Sequence, residues 1–294
     1  MRTASLLLIA ALSASSAVAQ QADPADAVNR LKQLGANVRL SDGKPVAVEA
    51  ADGKLDDAAM PLLAGLTTLR SVKLSACPVS DAGLKHLAGL KGLKVLGLDD
   101  AKIGDTALET VAGLPAIEEL FLTRTSVTDA GLGRLSGLAK LRRLRLRGTA
   151  VSDQGLAKLA ALPNLQDLDL SETKTTDAGL QGLKAIKSLV KLNLWTTAVT
   201  DAGVPQLLEM PQLTWLNLDN TKLTDAGAAK LAGLANLEFL HLGRTQISDA
   251  AIESLGKLGK LKDIHVTRTA VTQAGAERLR KALPQCKVVQ QVEP

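Results

Sequence analysis

Three features of the 294-residue chain predict an α/β solenoid, a parallel sheet backed by short helices. The first is a clock. Aspartate recurs at Asp57, Asp81, Asp105, Asp129, Asp153, Asp177, Asp201, Asp225 and Asp249, every step 24 residues, and Gln273 fills the next slot. A fixed period of that length marks one supersecondary unit stacked on copies of itself. The second is a change of hydrophobic period inside each unit. Leu144 and Leu146 alternate with Arg143, Arg145 and Arg147, the two-residue period of a strand with one buried face, whereas Leu156, Leu159 and Leu162 keep to one helical face. The third is the residue before each Asp from the second onward, and before Gln273: Ser80, Gly104, Thr128, Ser152, Thr176, Thr200, Thr224, Ser248 and Thr272 are all good N-caps.

The elements follow in chain order. Met1 to Ala19 reads as a secretory signal: Arg2 is the positive end, Ser5 to Leu12 the apolar stretch, and Ala17-Val18-Ala19 the small-residue cleavage motif before Gln20. The apolar run is shorter than the roughly 20 residues that span a bilayer. Residues 20–44 predict an N-terminal cap. Asp23-Pro24 starts a helix with Val28, Leu31 and Leu34 at helical spacing, Gly35 stops it, and Asp42-Gly43 is a hairpin turn between Val38 and Leu40 on one side and Val46 and Val48 on the other. Residues 45–289 hold about ten repeats, and residues 290–294 form a frayed tail. In this reading Asp places negative charge in the first turn of its own helix and accepts the orphan N–H groups there. A further column, Thr125, Thr149, Thr173, Thr197, Thr221, Thr245 and Thr269, with Cys77 and Ala101 in the same slot earlier, closes the strand-to-helix turn. Its hydroxyls are expected to continue a ladder from repeat to repeat. Cys77 and Cys286 stand almost nine repeats apart, roughly 43 Å at about 4.8 Å per strand, too far for a disulfide.

The pattern L-x-x-L-x-L-x-x-T-x-V-T-D-A-G-L-x-x-L, seen from Ile117 to Leu135 with isoleucine in the first place, resembles the leucine-rich repeat. It is most similar to the subclass in which Cys or Thr replaces the usual Asn, found in F-box substrate receptors and many bacterial secreted proteins. The resemblance covers about Pro45 to Val289. It implies a curved horseshoe with parallel strands on the concave face, helices on the convex face, and protein partners bound on the inner surface. An F-box requires a helical adaptor-binding module upstream, where residues 20–44 instead predict a cap, so a ubiquitin-ligase role does not carry over.

Side-chain alternation sends three positions per repeat onto the concave face. The first column reads Ser71, Val95, Glu119, Arg143, Asp167, Lys191, Trp215, Phe239 and Asp263; the second Lys73, Gly97, Phe121, Arg145, Asp169, Asn193, Asn217, His241 and His265; the third Ser75, Asp99, Thr123, Arg147, Ser171, Trp195, Asp219, Gly243 and Thr267. All four aromatics of the chain, Phe121, Trp195, Trp215 and Phe239, fall among these 27 positions. Exposed Trp on a rigid surface is typical of interface anchors. Arg143, Arg145 and Arg147 form a basic stripe suited to carboxylate, phosphate or sulfate, or else pair with Asp167 and Asp169 beside them. Phe121 offers Arg145 a cation–π contact.

These residues predict an exported scaffold, periplasmic or extracellular, that binds a protein partner through Phe121, Arg143, Arg145, Arg147, Lys191, Trp195, Trp215, Phe239 and His241. The alternative is an anionic glycan or envelope surface held by the arginine stripe with Arg124. No catalytic residues, cofactor or metal are assigned. No G-x-S-x-G, H-E-x-x-H or Walker motif occurs, His241 and His265 flanked by Asp219 and Asp263 fall short of a converging ligand set, and a hydrolase is not expected. The net charge of +5, spread over many exposed Lys and Arg, does not call for nucleic acid.

Overall fold

The computed structural model describes residues 23–290, so the expected signal segment and all but the first residue of the expected tail lie outside it. Twelve strands form one sheet in sequence order: β1 Asn37–Ser41, β2 Lys44–Ala51, β3 Ser71–Ser75, β4 Val95–Gly97, β5 Glu119–Phe121, β6 Arg143–Arg145, β7 Asp167–Asp169, β8 Lys191–Asn193, β9 Trp215–Asn217, β10 Phe239–His241, β11 Asp263–His265 and β12 Lys287–Val289. From β2 onward every pair is parallel and in register at 24 residues, Leu144 against Leu168 and Leu168 against Leu192. The α/β solenoid is therefore the observed fold. At the N-terminal end the helix Pro24–Gln33 starts with Asp23 accepting from the Ala25 N–H, and β1 pairs antiparallel with β2 through Asp42 and Gly43, both at positive φ as a tight hairpin demands.

The inward leucines form one continuous buried column running through the repeats; Leu120, Leu144, Leu168, Leu192, Leu216 and Leu240 are fully buried. The convex layer is less helical than the sequence pattern suggests. In the repeat at Asp153 a single α-turn, Asp153–Leu156, passes into a 3-10 stretch, Ala157–Ala161. A 24-residue unit leaves few residues to cross the outer face, and the longer rise per residue of 3-10 spans more width with them.

The Asp clock has a different role from the expected one. The Ser or Thr before each Asp does cap its own helix: the Thr176 hydroxyl accepts from the Ala178 N–H at 3.2 Å. The Asp instead reaches into the next repeat. Asp153 accepts from the N–H of Thr176 at 2.8 Å and from its hydroxyl at 2.6 Å, and Asp57, Asp105, Asp129, Asp177, Asp201, Asp225 and Asp249 receive the same pair of bonds from Ser80, Thr128, Ser152, Thr200, Thr224, Ser248 and Thr272. Asp81 receives only the Gly104 N–H, because glycine has no hydroxyl to add. Each carboxylate is thus an inter-repeat staple. At Asp249 the Thr272 N–H, then its hydroxyl, hold the carboxyl below its ordinary range.

The staple also accounts for the glycine two residues after Asp. A Cβ at Gly155 would lie inside contact distance of Asp129 Oδ1 and 3.0 Å from Leu132 Cδ1. Ala59, Ala107 and Ala251 occupy that slot in three repeats, and beside Ala251 the Asp225 staple to Ser248 is still made. The threonine column does not form a ladder between repeats either. Thr125, Thr149, Thr173, Thr197, Thr221 and Thr245 each donate to a carbonyl three residues back in their own repeat, as Thr149 does to Leu146 at 2.6 Å. The ladder is continued by the backbone. One residue past the third concave column the chain turns through positive φ at Ala76, Asp100, Arg124, Gly148, Glu172, Thr196, Asn220, Arg244 and Arg268, and from Ala76 to Arg244 the N–H there reaches the next repeat, Glu172 to the Trp195 carbonyl at 2.9 Å.

Both cysteines are free thiols, Cys77 buried and Cys286 partly exposed.

Candidate functional site

All three columns lie along the concave face in the expected register, but their chemistry divides at β8. On the N-terminal side the charges neutralise one another. Lys73 pairs with Glu49 at 3.5 Å, and Arg143 with Asp167 at 3.0 Å and Glu119 at 3.3 Å. Arg147 holds Glu172 through two bonds of 3.0 and 3.2 Å, and Arg124 holds Asp100 in the same forked manner. Their guanidinium groups keep the Glu172 and Asp100 carboxyls below the ordinary carboxylate range. The arginine stripe is therefore not three free cations. Arg145 alone of the three makes no ion pair among the described residues. Its guanidinium lies 4.9 Å above the Phe121 ring, and Asp169, its registered neighbour, accepts from the N–H and hydroxyl of Ser171 at 2.9 and 2.6 Å instead.

Phe121 is more buried than an open aromatic anchor. It is only 8% exposed and lies beneath the Arg145 guanidinium. Gly97 is its registered neighbour on β4, and the space over Gly97 is taken by the Lys73 side chain.

The C-terminal side is aromatic. Trp215 and Phe239, registered neighbours on β9 and β10, stack face to face with centroids 4.7 Å apart and planes 5° from parallel. Phe239 continues to His265 at 5.4 Å, and His241 meets His265 edge to face at 4.7 Å. These four side chains are half-buried and form one patch across three strands. His265 Nε2 lies 3.0 Å from Asp263 Oδ1 and His241 Nδ1 lies 3.8 Å from Asp219 Oδ2. Burial, more than any neighbour, pulls the His241 imidazole below its ordinary value, with His265 and Arg244 acting in the same direction and Asp219 and Asp263 opposing.

Trp195 stands apart from the stack. Its indole is held between the guanidinium groups of Arg147 at 4.6 Å and Arg244 at 5.6 Å, and its Nε1 is buried with no hydrogen-bond partner. Arg244 is itself fixed by a fork onto Asp219, a carboxylate only 4% exposed. Sequence reasoning missed Arg244 and Glu172, since both occupy the positive-φ column one place beyond the three concave columns. Following the 24-residue register one position further would have found them.

Between the two halves lies a shallow depression of about 280 Å³ lined by Arg145, Asp167, Asp169, Lys191, Asn193 and Trp215. Lys191 is exposed and, like Arg145, forms no ion pair among the described residues. No group of three or more His, Cys, Asp or Glu side chains able to hold a metal occurs among the described residues, and none of their helices is long and apolar enough to cross a membrane.

The leucine-rich repeat family profile matches residues 65–88 and 137–160, two stretches spaced by three periods of the clock. A search of curated proteins gave no match. Among solved structures, an internalin from Listeria monocytogenes str. 4b F2365 aligns at a TM-score of 0.55 and 17% identity over 92% of this chain and 94% of its own. Internalin C2 of the same strain aligns at 0.53 and 22% over 72% and 84%. A TDR receptor aligns at 0.57 and 13% over 84% of this chain and 43% of its own. Identities this low speak to the fold alone. Repeat profile, register and neighbouring solenoids agree that the chain is a leucine-rich repeat protein.

Proposed function

We propose that the chain is an exported recognition scaffold that binds a protein partner on the C-terminal half of its concave face, with no catalytic role. The observation that carries this reading is the Trp215–Phe239 stack, half-exposed on a rigid parallel sheet and continuous with His241 and His265. Aromatic side chains held rigid before binding lose little freedom on contact, which is why they dominate the energetics of protein interfaces. Arg143, Arg147 and Trp195 serve this surface as supports, bound as they are to Glu119, Asp167, Glu172 and Arg244. Export rests on the charged, apolar and small-residue segments of Met1 to Ala19. The alternative, an anionic glycan or envelope surface gripped by the arginine stripe, loses its support because two of the three guanidinium groups are already paired with carboxylates.

Affinity capture from envelope and secreted fractions tests the reading. Proteins retained by the wild-type scaffold should be lost by Trp215→Ala combined with Phe239→Ala, while the circular dichroism spectrum stays unchanged. Retention of the same proteins by the double variant would reject the site.

A further inference from the structure

We propose that Arg145, Lys191 and Trp215 form one docking notch for an acidic side chain carried by an apolar segment of the protein partner. This inference rests on the preceding reading and adds the partner's chemistry to it.

The argument is one of unfilled donors. Of the cations in the three concave columns, Lys73, Arg143 and Arg147 are each paired with a carboxylate, and only Arg145 and Lys191 are not, among the described residues. Both are exposed, and both line the same depression of about 280 Å³. The carboxylates in that depression each have one oxygen engaged elsewhere: Asp167 Oδ2 accepts from Arg143 at 3.0 Å, and Asp169 Oδ1 from the Ser171 N–H and hydroxyl. Asn193 directs its carbonyl oxygen to the Trp195 N–H at 3.1 Å, which leaves its amide donors as the part unused by any described residue. The notch therefore has a guanidinium, an ammonium and an amide to offer, and it calls for an acceptor that carries negative charge. Arg145 is prepared for this role, because stacking on Phe121 holds the guanidinium plane without consuming its N–H fork.

The second half of the argument is the wall. Phe239 covers one face of the Trp215 indole, and its neighbour on the other side is Lys191 of β8, across the depression. A segment seated there meets indole and lysine methylenes beside the charged donors, so an aspartate or glutamate flanked by leucine or an aromatic residue fits, whereas a highly charged polymer would waste the apolar wall.

A random dodecapeptide library displayed on phage, panned against the full mature chain, tests the proposal. The expected result is enrichment of peptides combining Asp or Glu with a large apolar residue, with affinity falling as salt rises. Arg145→Glu with Lys191→Glu should weaken a synthetic peptide of that class by at least about tenfold, the loss of one charge-assisted hydrogen bond, and should turn selection toward Lys or Arg. Arg145→Gln with Lys191→Gln, which keeps methylenes over Phe121, should weaken binding without that reversal. Peptides that depend on Trp215 yet show no acidic bias, or that bind the charge-reversed chain equally well, would overturn the notch while leaving the aromatic surface standing. Enrichment of basic peptides by the wild-type chain would overturn it too. Failure to enrich any peptide whose binding Trp215→Ala abolishes would count against both the notch and the recognition surface beneath it.

Discussion

The seam of aspartates and the concave face are built from the same 24-residue register and use it in opposite ways. Along the seam, chemistry is repeated: a carboxylate, a hydroxyl-bearing N-cap, a glycine, with the same two hydrogen bonds from one repeat to the next. Along the concave columns nothing is repeated for more than two steps, and the positions range from Gly, Ser and Val to Arg, Asp, Trp and His. In a solenoid each unit contacts only its neighbours. Whatever holds the whole stack together must therefore be present in nearly every unit, whereas a contact present once, such as Arg143–Asp167 or Trp215–Phe239, joins its own two repeats without being general to the stack. By this criterion the seam is the scaffold, and the Trp215–Phe239 patch is the surface proposed for recognition.

The largest expected effect falls on the seam. Asp153→Ala leaves the Thr176 N–H and hydroxyl without their acceptor and should lower the stability to urea by about 2–3 kcal/mol, the range for hydrogen bonds to a charged group. A midpoint close to wild type would break the contrast. The one defective unit sharpens it in the other direction. Gly104 gives Asp81 only its N–H, and a side chain built there would meet nothing closer than 3.8 Å. Gly104→Ser should restore the missing hydroxyl bond and raise stability by about 1 kcal/mol, measured in the same unfolding series.

A smaller effect belongs to the concave face. Since burial depresses the folded pKa of His241, the unfolded chain takes up that proton first as the solution is acidified. The stability this group allows is intact above its ordinary value of 6.5 and declines as pH falls through it. Urea unfolding between pH 7.5 and pH 5.5 should show that decline, and His241→Asn should flatten it. An unchanged slope would remove His241 as its source.

Much of this was legible before any coordinates. The period of 24 announced the solenoid, and the two-residue alternation placed Trp215, Phe239, His241 and Arg145 on one face because parallel in-register pairing carries a sequence column directly into space. What the sequence concealed were partners chosen by stacking rather than by chain neighbourhood. Asp153 reads as a cap for the helix it begins, but its hydrogen bonds go 23 residues onward. Phe121 reads as an anchor like Trp215, but it is buried beneath Arg145. Glu172 and Arg244 were invisible as concave residues because alternation ends where the chain turns to positive φ, and there the side chain swings back over the sheet to meet Arg147, Asp219 and Trp195.

The most direct test of the division between scaffold and surface is a saturation scan of the mature chain displayed on yeast and sorted for resistance to protease, which reads folding without any partner. Asp105, Asp129, Asp153, Asp177 and Asp201 should reject nearly every substitution, while Arg145, Lys191, Trp215 and Phe239 should accept polar ones and remain folded. If Trp215 and Phe239 prove as intolerant as Asp153, the aromatic patch is part of what holds the solenoid together and the assignment of recognition to it is contradicted.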